Sequence, residues 1–180
     1  MERGPTGRSP NNLKPSVEAQ MRIVLICVGR LKAGPERELF GRYFKRLTEI
    51  ARGVGIASVD LREVDESRAR RPEDRREEEA ASIIAAAPTD AGLLALDERG
   101  LSPTSQEWAD DIRRARDAAQ PFYAVVIGGP DGLSASLRAR ASKIVSFGAM
   151  TWPHQLVRVM ASEQLYRALS ILSGHPYHRA

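Results

Sequence analysis

Three stretches of this chain are apolar at consecutive positions and dominated by Val, Ile and Leu: "IVLICV" at 23–28, "LLAL" at 93–96 and "AVVI" at 124–127. A strand with one wet face alternates apolar and polar residues. A strand apolar at every position must be covered on both faces. The segments between them carry helical spacing instead. "ERELFGRYFKRLTEI" places Leu39, Tyr43, Phe44 and Leu47 on one face. "RPEDRREEEAASIIAAA" opens with Pro72 at a first-turn position and acids early in the helix. "SPTSQEWADDIRRARDA" offers Ser102 or Thr104 as a cap, and "SASLRARAS" follows a capping Ser134. "IASVDLREV" alternates imperfectly and predicts a half-exposed strand, and "KIVSFG" predicts a short fifth one. Strand and helix in alternation predict an α/β domain. Its sheet is mostly parallel, five- to six-stranded, with helices on both faces.

The first twenty residues, "MERGPTGRSPNNLKPSVEAQ", show no apolar period and are rich in Pro, Gly, Asn and Ser. They predict a disordered extension at 1–20 ahead of one domain at 21–180. Met21 opens directly into a strand, so it is also a candidate for the true start. No stretch of 18 apolar residues is present, which predicts no membrane span. A single cysteine, Cys27, lies inside the first apolar run. It predicts a buried thiol and a reducing, cytoplasmic setting.

The net charge of +4 permits a polyanionic partner without requiring one. Its distribution says more. From Ser134 onward, Arg138, Arg140, Lys143, Arg158, Arg167 and Arg179 face one acid, Glu163, and all three histidines lie there. A basic C-terminal third is an electrostatic footprint for phosphate, or simply a solvated basic face. The histidines His154, His175 and His178 have no cysteine or carboxylate at ligand spacing, so no metal is expected.

The last helix segment, "HQLVRVMASEQLYRALSILSG", is apolar nearly all round, with Leu156, Val157, Val159, Met160, Leu165, Tyr166, Leu169, Ile171 and Leu172. Such a helix is buried on more than one side, which points to a second subunit and a two-fold dimer. Ligands of open α/β sheets bind beyond the carboxyl ends of the strands. Three segments sit at such ends: "LALDERG", "IGGPDGLS" and "SFGAMTWPHQ". The second is neither GxGxxG nor a Walker loop, which disfavours a nicotinamide-dependent oxidoreductase. It reads as a tight strand-to-helix turn or as a loop offering backbone groups to a nucleoside. In the third, Phe147, Met150 and Trp152 form either a helix-entry staple or an apolar cleft wall, and Thr151 is a candidate cap.

"MRIVLICVG", "LLALDERG", "VIGGPDGLS", "FGAMTWPHQLVRVMASEQLYRALSI" and "HPYHR" occur in this order. Together they closely resemble the ribosomal RNA large subunit methyltransferase H family of the SPOUT superfamily, over residues 21–180. The resemblance implies a homodimer with a C-terminal trefoil knot that binds S-adenosylmethionine. It also implies methyl transfer to N3 of pseudouridine 1915 of 23S rRNA on the assembled ribosome. The family's cofactor contacts fall on Leu96, Gly128 and the run Phe147, Gly148, Ala149, Met150, Thr151 and Trp152. Beside it stand our own expectations for the tail. His178 is a candidate base for the N3 proton, Arg179 a candidate anion contact and Tyr177 a stacking or hydrogen-bonding group. Alternatively the tail only touches RNA phosphate. His154 and Arg158 are candidate RNA contacts, and Arg158 has a second reading as a partner for Glu163 across a dimer. A knotted tRNA methyltransferase and a non-catalytic, ribosome-associated RNA-binding dimer are the alternative functions.

Overall fold

A computed structural model describes residues 21–89 and 91–178. The predicted extension at 1–20 and Arg179 lie outside the described residues. The chain runs β1 (Met21–Val28), α1 (Pro35–Ala51), β2 (Ile56–Val64), α2 (Pro72–Ala86), β3 (Gly92–Leu101), α3 (Ser105–Asp117), β4 (Phe122–Ile127), α4 (Ala135–Arg140), β5 (Lys143–Val145) and α5 (His154–Ser173). The strands form one sheet in the order β2-β1-β4-β3-β5, and every pairing is parallel.

The continuous apolar runs are the inner strands, and each divides its side chains between two cores with period two. Ile23, Leu25, Cys27, Leu94, Leu96, Tyr123, Val125 and Ile127 face α1, α3 and α5. Val24, Ile26, Val28, Leu93, Ala95, Ala124 and Val126 face α2 and α4. Cys27 is fully buried, and burial pushes its thiol up to about 12, so it is inert packing. β2 is an edge strand, which accounts for its ragged alternation.

Local signals were placed by their side chains. Thr104 caps α3 in a full capping box with Glu107, and the Ser134 Oγ accepts the Leu137 N–H at the start of α4. Two expectations need correction. The face of α1 is led by Phe40, Phe44, Leu47 and Ala51, whereas Leu39 is 37% exposed. A helix start fixed by Pro35 sets that rotation, and residues 39 and 40 fit the apolar period about equally well. Thr151 does not cap α5: Pro153 occupies the cap position and the Thr151 hydroxyl donates to Glu98 Oε2 at 3.0 Å.

α5 lies on the sheet between α1 and α3. That position buries Val159, Ala161, Leu165, Tyr166, Ala168 and Leu169 within the protomer. Most of its all-round apolarity is therefore satisfied without a second chain. Leu156 is 38% exposed, and Met160, Ile171 and Leu172 are half-buried.

Candidate functional site

The carboxyl ends of β3, β4 and β5 open on a cavity of about 980 Å³. Its walls are residues 96–99 in the second half of β3, residues 127–135 from the end of β4 to the start of α4, and the loop 146–153 after β5, which runs into the first turn of α5. Of the residues expected to hold a cofactor, Leu96, Gly128, Phe147, Gly148, Met150, Thr151 and Trp152 line it. Ala149 lies on the same loop but is exposed and outside the lining.

The glycine loop is shaped by close approach. A Cβ on Gly128 would sit 2.8 Å from Leu133 Cδ2, and one on Gly129 would sit 3.0 Å from both Val28 Cγ1 and Glu79 Oε2. Gly132 holds φ +79 with its N–H donating to the Gly129 carbonyl at 3.0 Å. The missing side chains thereby let the loop close on Leu133, Val28 and Glu79. The next loop is braced differently. Ser146 Oγ donates to the Gly148 carbonyl at 2.7 Å and accepts the Gly148 N–H at 3.1 Å. The Phe147 ring packs on Trp108 of α3, with centroids 6.0 Å apart. The Thr151 bond to Glu98 ties this loop to the second half of β3.

Polar groups that no sequence motif singles out complete the lining. Asp97, Glu98, Arg99 and Arg138 all border the cavity, and Arg138 pairs with the buried Asp97 carboxylate at 3.5 Å. The segment "LALDERG" stands at a strand end in the sequence, but only the fold turns its charges toward one space. His154 is half-buried in the first turn of α5 and also lines the cavity. Burial lowers its pKa, with Arg158 acting in the same direction and Glu66 opposing, so the imidazole is neutral at neutral pH.

Arg158 is a correction. It is 1% exposed, so it presents no guanidinium to RNA phosphate. Its terminal nitrogens donate to Glu63 Oε1 at 2.7 Å, to the Val28 carbonyl at 3.0 Å and to the Gly29 carbonyl at 2.9 Å. It pins α5 to the ends of β1 and β2. Pairing with Glu163 fails too, because Glu163 accepts from Arg167 Nε at 3.0 Å and from the Tyr177 hydroxyl at 2.9 Å in its own chain.

The tail residues lie elsewhere. Tyr177 packs on Tyr166 with centroids 4.7 Å apart, and the Arg167 guanidinium stands 4.8 Å from its ring centre. Burial raises its phenol pKa. His178 is half-buried, and its Nδ1 has no hydrogen-bond partner. Both sit beyond the C-terminus of α5, at the far end of the helix from His154.

A family model described as "Predicted SPOUT methyltransferase" matches residues 21–178. Proteins named ribosomal RNA large subunit methyltransferase H are similar over nearly their whole length. The one from Xanthobacter autotrophicus is 52% identical over 160 residues, covering 89% of this chain and 100% of that protein. The one from Methylocella silvestris is 54% identical, covering 88% and 99%. That from Methylobacterium radiotolerans is 56% identical, covering 88% and 98%. The chain belongs to this family of SPOUT methyltransferases.

The methyl donor of SPOUT methyltransferases is S-adenosylmethionine, and the lining fits it. The volume falls within the range of small-molecule sites. Leu96, Ile127, Phe147, Met150 and Trp152 supply apolar walls for an adenine ring. The missing side chain of Gly128 lets the loop close on Leu133, and both residues line the cavity. Glu98 offers an anion to a sulfonium or ammonium, and Arg99 and Arg138 offer cations to a carboxylate. Among the described residues, no group of three or more His, Cys, Asp or Glu side chains could hold a metal ion. No described helix is long and apolar enough to cross a membrane.

Proposed function

We propose that this methyltransferase modifies N3 of pseudouridine 1915 in 23S rRNA on assembled ribosomes, as a cytoplasmic homodimer. The observation that carries the reading is the single cavity that gathers Leu96, Gly128 and the 147–152 loop at one rim of the sheet. Bound there, S-adenosylmethionine supplies a methyl group already made electrophilic by the sulfonium. The protein's part is positioning, water exclusion and removal of a proton from N3. Phe147, Met150 and Trp152 form the apolar wall, and Gly128 lets the loop close on Leu133 beside it.

Dimerisation is supported by a length. α5 has 20 residues and is about 30 Å long at 1.5 Å per residue. Its first turn lines the cavity, whereas Tyr177 and His178 follow its last turn. A tail that acts in catalysis therefore serves the cavity of a second copy. In that arrangement His178 takes the N3 proton, Arg179 steadies the developing negative charge and Tyr177 contacts the base. His154, half-buried on the cavity wall, is retained as an RNA contact. The trefoil knot belongs to the same proposal. It is supported by the tight passage between β3 and β5. A Cβ on Gly100 would lie 2.6 Å from backbone atoms of Ile144 and Val145, and the Ser146 N–H donates to the Leu101 carbonyl at 2.8 Å.

The test is transfer of tritium from labelled cofactor. Ribosomes lacking the modification should be labelled at one pseudouridine, and free 23S rRNA or tRNA should not. Equal labelling of free rRNA would remove the assembled particle from the proposal. Labelling of tRNA alone would replace the substrate, and cofactor binding without transfer to any RNA would favour a binding role.

A further inference from the structure

The glycine loop that walls the cavity is held from outside by a residue that does not line it. Arg75 on α2 reaches Asp131, between Pro130 and Gly132, with Nε 2.6 Å from one carboxylate oxygen and a terminal nitrogen 3.0 Å from the other. Its remaining terminal nitrogen donates to the carbonyls of Ala69 and Arg70, both at 3.0 Å, in the loop between β2 and α2. One rigid, planar group thus joins two loops that belong to different strands. Both side chains are about one-quarter exposed, so water competes only partly for the fork. Arg76 adds a longer contact, 3.4 Å, to the Asp131 carbonyl.

A second support lies beneath the same loop. Glu79, one turn further along α2, is 4% exposed and packs into the space left by the missing Cβ of Gly129. Its Oε1 accepts the Ser67 N–H at 3.0 Å, and its Oε2 has no hydrogen-bond partner. Arg75 and Glu79 therefore tie residues 67–70 and the 128–132 loop to the same two turns of α2. The glycines themselves cannot fix the loop, because their backbone has wide conformational freedom. Two glycines with Gly132 at positive φ would otherwise leave the wall to be ordered at the cost of binding energy.

We propose that Arg75 is a positioning residue for cofactor binding, pre-organising the Gly128–Gly132 wall through its two-pronged bond to Asp131. The proposal rests on the reading that this cavity takes S-adenosylmethionine. Arg75 touches none of the reacting atoms, so its effect should appear in cofactor affinity and KM rather than in kcat at saturating cofactor.

Calorimetry with S-adenosylmethionine on the full chain, with methyl transfer assayed in parallel, tests it. Asp131→Asn removes the charge of the loop-side partner at a partly exposed position, and Arg75→Lys keeps the charge but loses the fork. Each should weaken cofactor binding about tenfold, the scale of a lost charge-assisted bond. Each should raise KM for cofactor while kcat stays within about twofold. The double variant Arg75→Lys with Asp131→Asn should bind no worse than the weaker single one, because both remove the same bond. Wild-type affinity in both single variants, or additive losses in the double one, would overturn the positioning role. Wild-type protein that takes up no cofactor would instead overturn the reading of the cavity. Thermal unfolding guards against a merely unfolded Arg75 variant, and Asp131→Asn then decides alone.

Discussion

Arg158 illustrates how little a charge in a sequence says about its use. A guanidinium buried at 1% exposure answers two strand-end carbonyls and one carboxylate, and its Nε is left without a partner. Removing one side of such a buried pair strands the others. Arg158→Ala should therefore lower the unfolding free energy by about 3 kcal/mol in urea titrations. Substitution of a surface phosphate contact would change stability by less than about 0.5 kcal/mol. His154 makes a pH prediction. Its folded pKa lies below its unfolded value of about 6.5. The unfolded chain therefore binds the proton more readily, and the contribution is fully present above that value. It is lost as pH falls through 6.5 toward the folded pKa. In thermal unfolding, the stability of wild type relative to His154→Gln should fall between pH 7.5 and 5.5. Glu79 runs the other way. Burial raises its pKa, so its folded form prefers the neutral acid and its contribution falls as pH rises through the raised value. Glu79→Gln should gain stability relative to wild type at pH 8, and that gap should close toward pH 5.

At the scale of elements, α5 matters most, because it closes one core and also borders the cavity. Leu165 is fully buried in that core. Leu165→Ala should cost about 2–5 kcal/mol in chemical unfolding, the range for a large-to-small change that leaves a void. Thr104 tests the opposite end of the same layer. Its hydroxyl accepts the Glu107 N–H at 3.2 Å, and the Glu107 carboxylate accepts the Thr104 N–H at 2.7 Å. Thr104→Ala should cost about 1 kcal/mol by urea unfolding, the value of a lost N-cap.

For the whole molecule, the separation between tail and cavity makes a mixing experiment decisive. Gly128→Val would press side-chain atoms into Leu133 and should abolish cofactor binding. A chain ending at Gly174 keeps the cavity and loses Tyr177 and His178. Each variant alone should be inactive. On the proposed dimer, the two variants unfolded together and refolded as a mixture should recover activity, because a mixed dimer pairs one sound cavity with one sound tail. No recovery, with mixed dimers shown to form, would place the tail over its own cavity or outside catalysis.

Much of this was legible in the sequence. Short runs rich in Val, Ile and Leu, set between helix-period segments, pointed to strands covered on both faces and so to a parallel sheet. Glycines and prolines at strand ends marked the loops that gather at the cavity, because backbone freedom and stiffness are local properties. Capping followed the same logic at Thr104 and Ser134. What depended on contact between distant segments stayed hidden. Nothing in "LVRVM" says that Arg158 meets strand ends 130 residues away, or in "PEDRREE" that Arg75 meets Asp131. Nor does an all-apolar helix reveal whether α1 and α3 or a second chain will cover it. Hydrophobic pattern and backbone chemistry are properties of neighbouring residues. The partner of a long charged side chain is chosen only when the sheet order brings remote loops to a common rim.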